Sequence, residues 1–417
     1  MPEFFNVLPP DEARRLLLAH VEPIERRETL ATTAALDRVT AGRILAPHAL
    51  PAFRRSTMDG YAIRAADSYG ASSSLPAFLT VVGEVRMGRA ADVKLGRGEA
   101  AIVHTGGMIP DSADAVVQVE HTQAVTSQEG QRPPFEIEVL RAVAAGQNVL
   151  QIGEDVAEGA EVLPAGQRIR PQDVGGLLAL GIVEVEVVQR PLVGIIATGN
   201  EVVAPEITPA GGQIRDINSY TLAAQVSRAG GRPLLLGIVG DEFEALLAAA
   251  RSGLAQCDML ALSAGSSVSV HDMTVKVIDG LGQPGVLLHG VATRPGKPTI
   301  LGAAGGKAVL GLPGNPVSAM VQFSMFGGPA IGRLLGLQSD ERRGIVWARL
   351  SANVASESGR EDYVPARLYE SSDGLMAAPV FGKSNLIYTL VNADGLLKVP
   401  LNKAGLEAGE QVEIQLF

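Results

Sequence analysis

Cysteine is all but missing. Cys257 stands alone in 417 residues, so no disulfide can form within the chain and no cysteine-based zinc site can be built. Aromatic residues are also scarce, at 4%, so Ala, Val, Leu and Ile must fill the cores. No run of about 18 or more apolar residues is present, which excludes a membrane-spanning helix. The start, MPEFFNVLPPDEA, lacks a basic segment followed by an apolar one, so no secretory signal is expected and the expected location is the cytoplasm. A formal net charge of −10 argues against general nucleic-acid binding, which needs basic surface. The six histidines never fall at helical i, i+4 spacing, and no nucleophile-elbow or complete Walker motif occurs. Zinc hydrolysis, serine hydrolysis and P-loop chemistry are thereby set aside.

What is present is length and pattern. At 46% hydrophobic residues, the chain can bury several cores, and its length implies about two to four domains. Residues 1–28 open with a helix that Asp11 can cap. Residues 29–142 are β-rich, with strand-like runs at 78–85, 100–106 and 115–120, and TSQEGQRPP (126–134) as a hairpin or surface loop. Residues 143–189 return to mixed extended and helical character, with a helix at about 171–180 ending at Gly181. We expect 1–28 and 143–189 to form one discontinuous unit.

From 190 to 335 the pattern is regular α/β. Buried strand-like runs at 192–199, 233–240, 258–265 and 307–314 alternate with helices. Asn218 or Ser219 is expected to cap one helix, an Asp241–Glu244 capping box another, and Asn315 with Pro316 a third. Such repetition predicts a doubly wound, mostly parallel sheet, whose ligands bind beyond the carboxyl ends of the strands. Residues 336–417 return to alternation without helical signals and predict a small β-barrel or sandwich.

Three loops fall at that carboxyl edge: TGNE (198–201), SAGSSVSVHD (263–272) and LPGNP (312–316). Gly314 lets backbone N–H groups approach an anion at a helix start, although a plain capped helix explains the segment equally well. The 263–272 loop offers small side chains, many N–H donors and the carboxylate of Asp272. RPGKPT (294–299) puts Arg294 and Lys297 on a proline-stiffened turn. Glu201, Asp216 and Asp241 gather near the same edge, as acids do where Mg²⁺ is held with substrate phosphates. STMDGYAI (56–63) reads as a turn around Asp59.

In this order, these motifs resemble the molybdopterin molybdenumtransferases, the MoeA and gephyrin E-domain family. The likeness runs from about residue 7 to 403 and includes PAFRRSTMDGYAIR, VHTGGMIPDSADAVVQVE, NVLQIGEDV, ATGNEV, GGQIRDINSYTLAAQV, VGDEFEAL, LSAGSSVSVHDMT, RPGKPT, LPGNPVSA and FGKSN. It implies an α/β domain that holds the pterin nucleotide, β-rich domains, and an elongated homodimer in which the partner's β-rich domain closes the cleft. The implied activity is insertion of molybdate into adenylylated molybdopterin with Mg²⁺ and release of AMP. The implied catalytic residues are Asp59, Thr105, Glu201, Asp241, Asp272 and Lys297, with Glu201, Asp241 and Asp272 as metal ligands. Substrate contacts are implied at Ser263, Gly265, Ser266, Ser267, Arg294, Pro313, Gly314, Asn315, Arg360 and Ser384. An adenylyltransferase is implied as a delivering partner; nucleic acid and membrane are not. Two other readings share some of these features: the molybdopterin adenylyltransferase itself, and a non-catalytic scaffold like the gephyrin E domain.

The chain departs from the family pattern in three places. Asn200 stands where TGDEL carries an acid, Ala264 and serines replace glycines of GGVSVG, and Arg294 replaces a lysine before PGKP.

Overall fold

The computed structural model describes residues 7–125, 132–264, 268–338, 344–372 and 374–417, and the side chains of the helix after the 263–272 loop from Asp272 onward. The chain divides into two compact units. One comprises residues 1–41, 166–170 and 184–417, the other 42–165 and 171–183.

The larger unit is built on a six-stranded sheet. Its elements run β1 (Leu192–Thr198), α1 (Asn218–Arg228), β2 (Arg232–Val239), α2 (Phe243–Gln256), β3 (Met259–Ala264), α3 (Val268–Asp279), β4 (Pro284–His289), β5 (Ile300–Ala304), β6 (Lys307–Pro313) and α4 (Pro316–Gln322). The sheet order is β2-β1-β3-β6-β5-β4. The first four of these strands are mutually parallel; β5 then runs antiparallel to β6, and the edge strand β4 antiparallel to β5. Both faces are covered, as near-continuous apolar strands require. On one face Val193, Ile195 and Leu310 pack with Leu222, Val226 and Phe326, joined by Ala13 and Leu17 of the helix Pro10–Leu18. On the other face Ile196, Leu260 and Val309 pack with Leu246, Ala250 and Val277. Order reverses between β1 and β3, which opens a crevice at their carboxyl ends.

Beyond α4 the helical backbone continues through a π-turn, Phe323–Gly327, into α5 (Gly328–Leu334). Then come β7 (Ile345–Leu350), β8 (Glu361–Ser371), β9 (Gly374–Pro379), the one-turn helix α6 (Tyr388–Val391), β10 (Gly395–Val399) and β11 (Gln411–Leu416). Hydrogen bonding in the order β8-β9-β7-β11-β10 and back to β8 closes a five-stranded barrel, filled by Leu350, Ala366, Ala377, Leu397 and Ile414. Of the two expected alternatives, the barrel is the one formed. The helix α6 was not expected; its four residues are too few to carry a periodic signal. The two-residue strand Thr293–Arg294 adds to β8 in parallel and ties the RPGKPT turn to the barrel.

The strand Arg27–Ala31 pairs with Glu184–Val188 in the same unit. The second unit holds a six-stranded sheet in the order 115–118, 60–63, 99–103, 77–84, 135–139, 122–124. The three β-type runs of the sequence lie in it. The helix Pro171–Ala179 also forms, with Gly181 at φ 71° after it. Residues 126–131 of the expected hairpin or loop lie outside the described residues.

Several expected caps are not the ones used. Pro9 is the N-cap of the first helix, so Asp11 sits inside its first turn. Neither Asn218 nor Ser219 caps α1; Asp216 Oδ1 accepts the Ser219 N–H at 3.0 Å. The Asp241–Glu244 box does not form, because Glu242 occupies the N-cap of α2 without a side-chain bond and Asp241 turns back to the 198–201 loop. For α1 and α2 a preceding-loop or tertiary partner outcompetes the local one, while Asp11 instead pairs with Arg14 one turn on at 3.2 Å.

Candidate functional site

Three chain segments meet at the carboxyl ends of β3 and β6. Asn218, at the start of α1, donates through Nδ2 to Ser263 Oγ and to the Gly314 carbonyl, both at 2.8 Å. Both Asn218 and Ser263 are buried. One amide thus fixes the spacing of the two Gly/Ser loops. Asn218 Oδ1 is buried without a hydrogen-bond partner. Pro313 ends β6 and is itself buried.

Asn315 does hold the N-cap of α4 with Pro316 after it, but its side chain does not cap. Its Nδ2 instead donates to Ser384 Oγ at 3.0 Å, and the Ser384 carbonyl accepts the Val317 N–H at 3.1 Å. A barrel loop therefore reaches the α/β sheet and satisfies one helix-start N–H that the sequence suggested for an anion. Two hydrogen-bonded sets, Asn218 with Ser263 and Gly314 and Asn315 with Ser384, are thus joined through the Gly314–Asn315 peptide. Gly265, Ser266 and Ser267 lie outside the described residues.

The TGNE turn forms a second group. Gly199 has φ 138°, and a Cβ there would lie 2.6 Å from Glu201 Oε2, so only glycine lets that carboxylate fold over the backbone. Asn200 and Asp241 pair reciprocally: Asn200 N–H donates to Asp241 Oδ2 at 3.4 Å, and Asp241 N–H donates to Asn200 Oδ1 at 3.2 Å. Asp241 Oδ1 is buried with no hydrogen-bond partner. Glu201 and Asp241 thus flank one turn. Asp272 is exposed on α3. Among the described residues no three His, Cys, Asp or Glu side chains gather as a metal cluster.

The third group is basic. Gly296, at φ 105°, lies so close to Gln322 that a Cβ would stand 2.4 Å from its side chain. Gln322 Nε2 donates to the Pro295 carbonyl at 2.8 Å, which pins the turn to α4. Arg294 and Arg360 converge on Asp362, whose side chain is only 3% exposed: Arg360 Nε donates to Oδ1 at 2.9 Å and Arg294 Nη1 lies 3.7 Å from Oδ2. Arg360 Nη1 also meets the exposed Glu357 at 2.9 Å. Lys297 is exposed on the same turn.

In the other unit Asp59 and Thr105 meet directly. Asp59 Oδ1 accepts the Thr105 N–H at 2.8 Å and its hydroxyl at 3.2 Å. Those bonds, chiefly the backbone one, hold the Asp59 carboxyl below its ordinary range, with a smaller contribution from His104. His104 Nε2 in turn lies 3.0 Å from Glu84 Oε1.

Sequence reasoning missed Asn218 as a bridge, and also Gln322 and Asp362. Asn218 looks like any helix-start amide. Gln322 did leave a signal, a lone amide in the apolar run PVSAMVQFSMF. Asp362 carries none, because one acid in an alternating strand reads as surface.

Together these elements define a class: a multidomain protein whose doubly wound sheet presents Gly/Ser loops, acids and a basic turn, with a small barrel closing on the same loops. Comparison with known proteins narrows it. Residues 8–181 match the MoeA N-terminal region (domains I and II), 194–333 the probable molybdopterin binding domain, and 347–417 the MoeA C-terminal region (domain IV). The chain is 33% identical to the molybdopterin molybdenumtransferase of Bacillus subtilis over 411 residues, covering 98% of this chain and 94% of that one. It is 31% identical to the Haemophilus influenzae protein of the same name over 412 residues, covering 98% of each. The crystal structure of a molybdopterin biosynthesis MoeA protein from Pyrococcus horikoshii superposes with a TM-score of 0.84 at 33% identity, over 99% of this chain and 100% of that one. The chain belongs to the molybdopterin molybdenumtransferase (MoeA) family.

Proposed function

We propose that the protein inserts molybdate into adenylylated molybdopterin and releases AMP. Family membership supports the coarser statement directly: this is a transferase of molybdenum cofactor biosynthesis. The observation that carries the finer one is the meeting of Ser263, Gly314, Asn315 and Ser384 at the start of α4, the helix whose Gln322 holds the basic turn. Insertion needs a pyrophosphate to be held, an oxyanion to be admitted and the dithiolene to stay placed. The Gly/Ser loops, spaced by Asn218, serve the first task. Arg294, Lys297 and Arg360 serve the second, since molybdate is a dianion that requires cationic or N–H donors. Pro313, Gly314 and Asn315 line the nucleotide side. Asp59 and Thr105, hydrogen-bonded to each other in the other unit, are assigned a catalytic role.

Mg²⁺ belongs to this proposal. Glu201 and Asp241 suit it, because Mg²⁺ is bound by one or two carboxylates together with substrate phosphates and retains waters. The unpartnered Asp241 Oδ1 supports that fit. When bound, the ion would neutralise phosphate charge; Asp272 is the third acid assigned to it. Asn200 cannot add charge here, and its role is to hold Asp241. A homodimer, a cytoplasmic location and delivery by an adenylyltransferase complete the proposal.

The test offers purified protein two substrate pairs: adenylylated molybdopterin with molybdate, and molybdopterin with ATP. The proposal expects only the first to be consumed. Consumption of the second would make the protein an adenylyltransferase. Consumption of neither, with the protein folded, would favour a scaffold.

A further inference from the structure

Asp362 is a buried carboxylate at the meeting point of two segments. Its backbone pairs with Arg294 where the RPGKPT turn joins β8. Its two oxygens are divided between two guanidinium groups: Oδ1 takes Arg360 Nε at 2.9 Å, and Oδ2 faces Arg294 Nη1 at 3.7 Å. The Asp362 side chain is 3% exposed, whereas the side chains of Arg360 and Arg294 are 26% and 63% exposed. The acid is therefore an interior anchor, and the arginines extend from it toward solvent. Each guanidinium has five N–H donors in a planar fork, so fixing one edge sets the direction of the rest.

We propose that Asp362 is a positioning residue that aligns Arg294 and Arg360 as one oxyanion-binding pair. This rests on the reading that those arginines admit molybdate. Arg360 has a second partner, Glu357, at 2.9 Å, but that side chain is 75% exposed, so water screens the pair. Lys297, on the same turn, adds a positive charge, and Glu361 is occupied by Lys398 at 2.8 Å and by the Tyr363 hydroxyl at 2.7 Å. Among these groups Asp362 alone contacts both arginines.

The roles of anchor and countercharge differ in sign. A carboxylate beside a dianion site repels the dianion. If Asp362 served only to balance charge, Asp362→Asn would bind molybdate more tightly. If it aligns the arginines, the same change weakens binding, because an amide holds a guanidinium less firmly than a carboxylate does. Molybdate binding to the full-length protein, measured by titration calorimetry, decides between them. Asp362→Asn is expected to weaken binding by roughly tenfold, the scale of one charge-assisted contact. Glu357→Gln is expected to leave binding equal or tighter. Equal or tighter binding by Asp362→Asn would overturn the inference. Should Asp362→Asn melt early, Asp362→Glu reads the same quantity, since it keeps the charge but moves the carboxylate relative to both guanidinium groups. Weakening supports alignment, and unchanged binding refutes it. Arg294→Gln and Arg360→Gln separate the two levels: if neither alters molybdate binding, the oxyanion reading itself fails.

Discussion

At the residue scale, the Asp59–Thr105 pair makes a prediction about pH. The folded carboxyl is held below its ordinary value by the Thr105 N–H and hydroxyl. Its contribution to loop order is therefore fully present above the unfolded pKa, about 3.9, and is lost as pH falls through the lower folded value. The Thr105 amide signal should stay constant through pH 5 and move only below the ordinary carboxylate range. A titration at or above that range would show that the contact does not persist in solution. Asp272 and Lys297 make a second prediction. Asp272→Asn should weaken Mg²⁺-dependent AMP release, and Lys297→Ala should raise the molybdate needed or loosen the nucleotide. Each change should be roughly ten- to a hundredfold, the scale of a lost charge-assisted contact. Thermal melts control for folding. Wild-type curves for both variants would remove them from the site, because exposed residues without a role usually tolerate substitution.

At the scale of elements, the site depends on two side chains that join loops to helices. Asn218→Ala strips donors from Ser263 Oγ and the Gly314 carbonyl. It should cost about 1–3 kcal/mol by denaturant melt and weaken AMP binding; a loss of stability without a loss of binding would confine Asn218 to the fold. Gly296→Ala sets a strained φ against Gln322, whereas Gly305→Ala also has positive φ but meets nothing within 4 Å. The first should be the more destabilising, by about 1 kcal/mol or more from the added clash, and equal melts would mean that the turn is not pinned. Such ties explain how far the sequence could be read. The strands of the α/β sheet were legible because a fully buried strand followed by Gly and a helix leaves a regular pattern. The turns carrying Arg294 and Glu201 were legible as Gly- and Pro-marked loops. Caps were read less well. Asp241 has the spacing of a capping box but is taken by Asn200, some forty positions away in the chain, and local spacing does not report a distant competitor.

At the scale of the whole molecule, barrel and sheet meet where Thr293–Arg294 joins β8, where Ser384 bonds Asn315 and Val317, and where Val317 and Val321 pack on Tyr363, Leu390 and Leu396. Alternation predicted a small β fold for 336–417, but no local pattern shows that one of its loops reaches Asn315 and Val317 at the start of α4. The resemblance implied only that Ser384 and Arg360 share a substrate with residues far earlier in the chain. If the proposed function holds, AMP release and molybdenum insertion are one coupled event. A single-turnover reaction with adenylylated molybdopterin and Mg²⁺, followed with and without molybdate, measures this most directly. AMP is expected to appear only when molybdate is added, in equal amount to the molybdenum retained on the pterin. AMP released at the same rate without molybdate, or molybdenum bound to the pterin with the adenylyl group still attached, would contradict it.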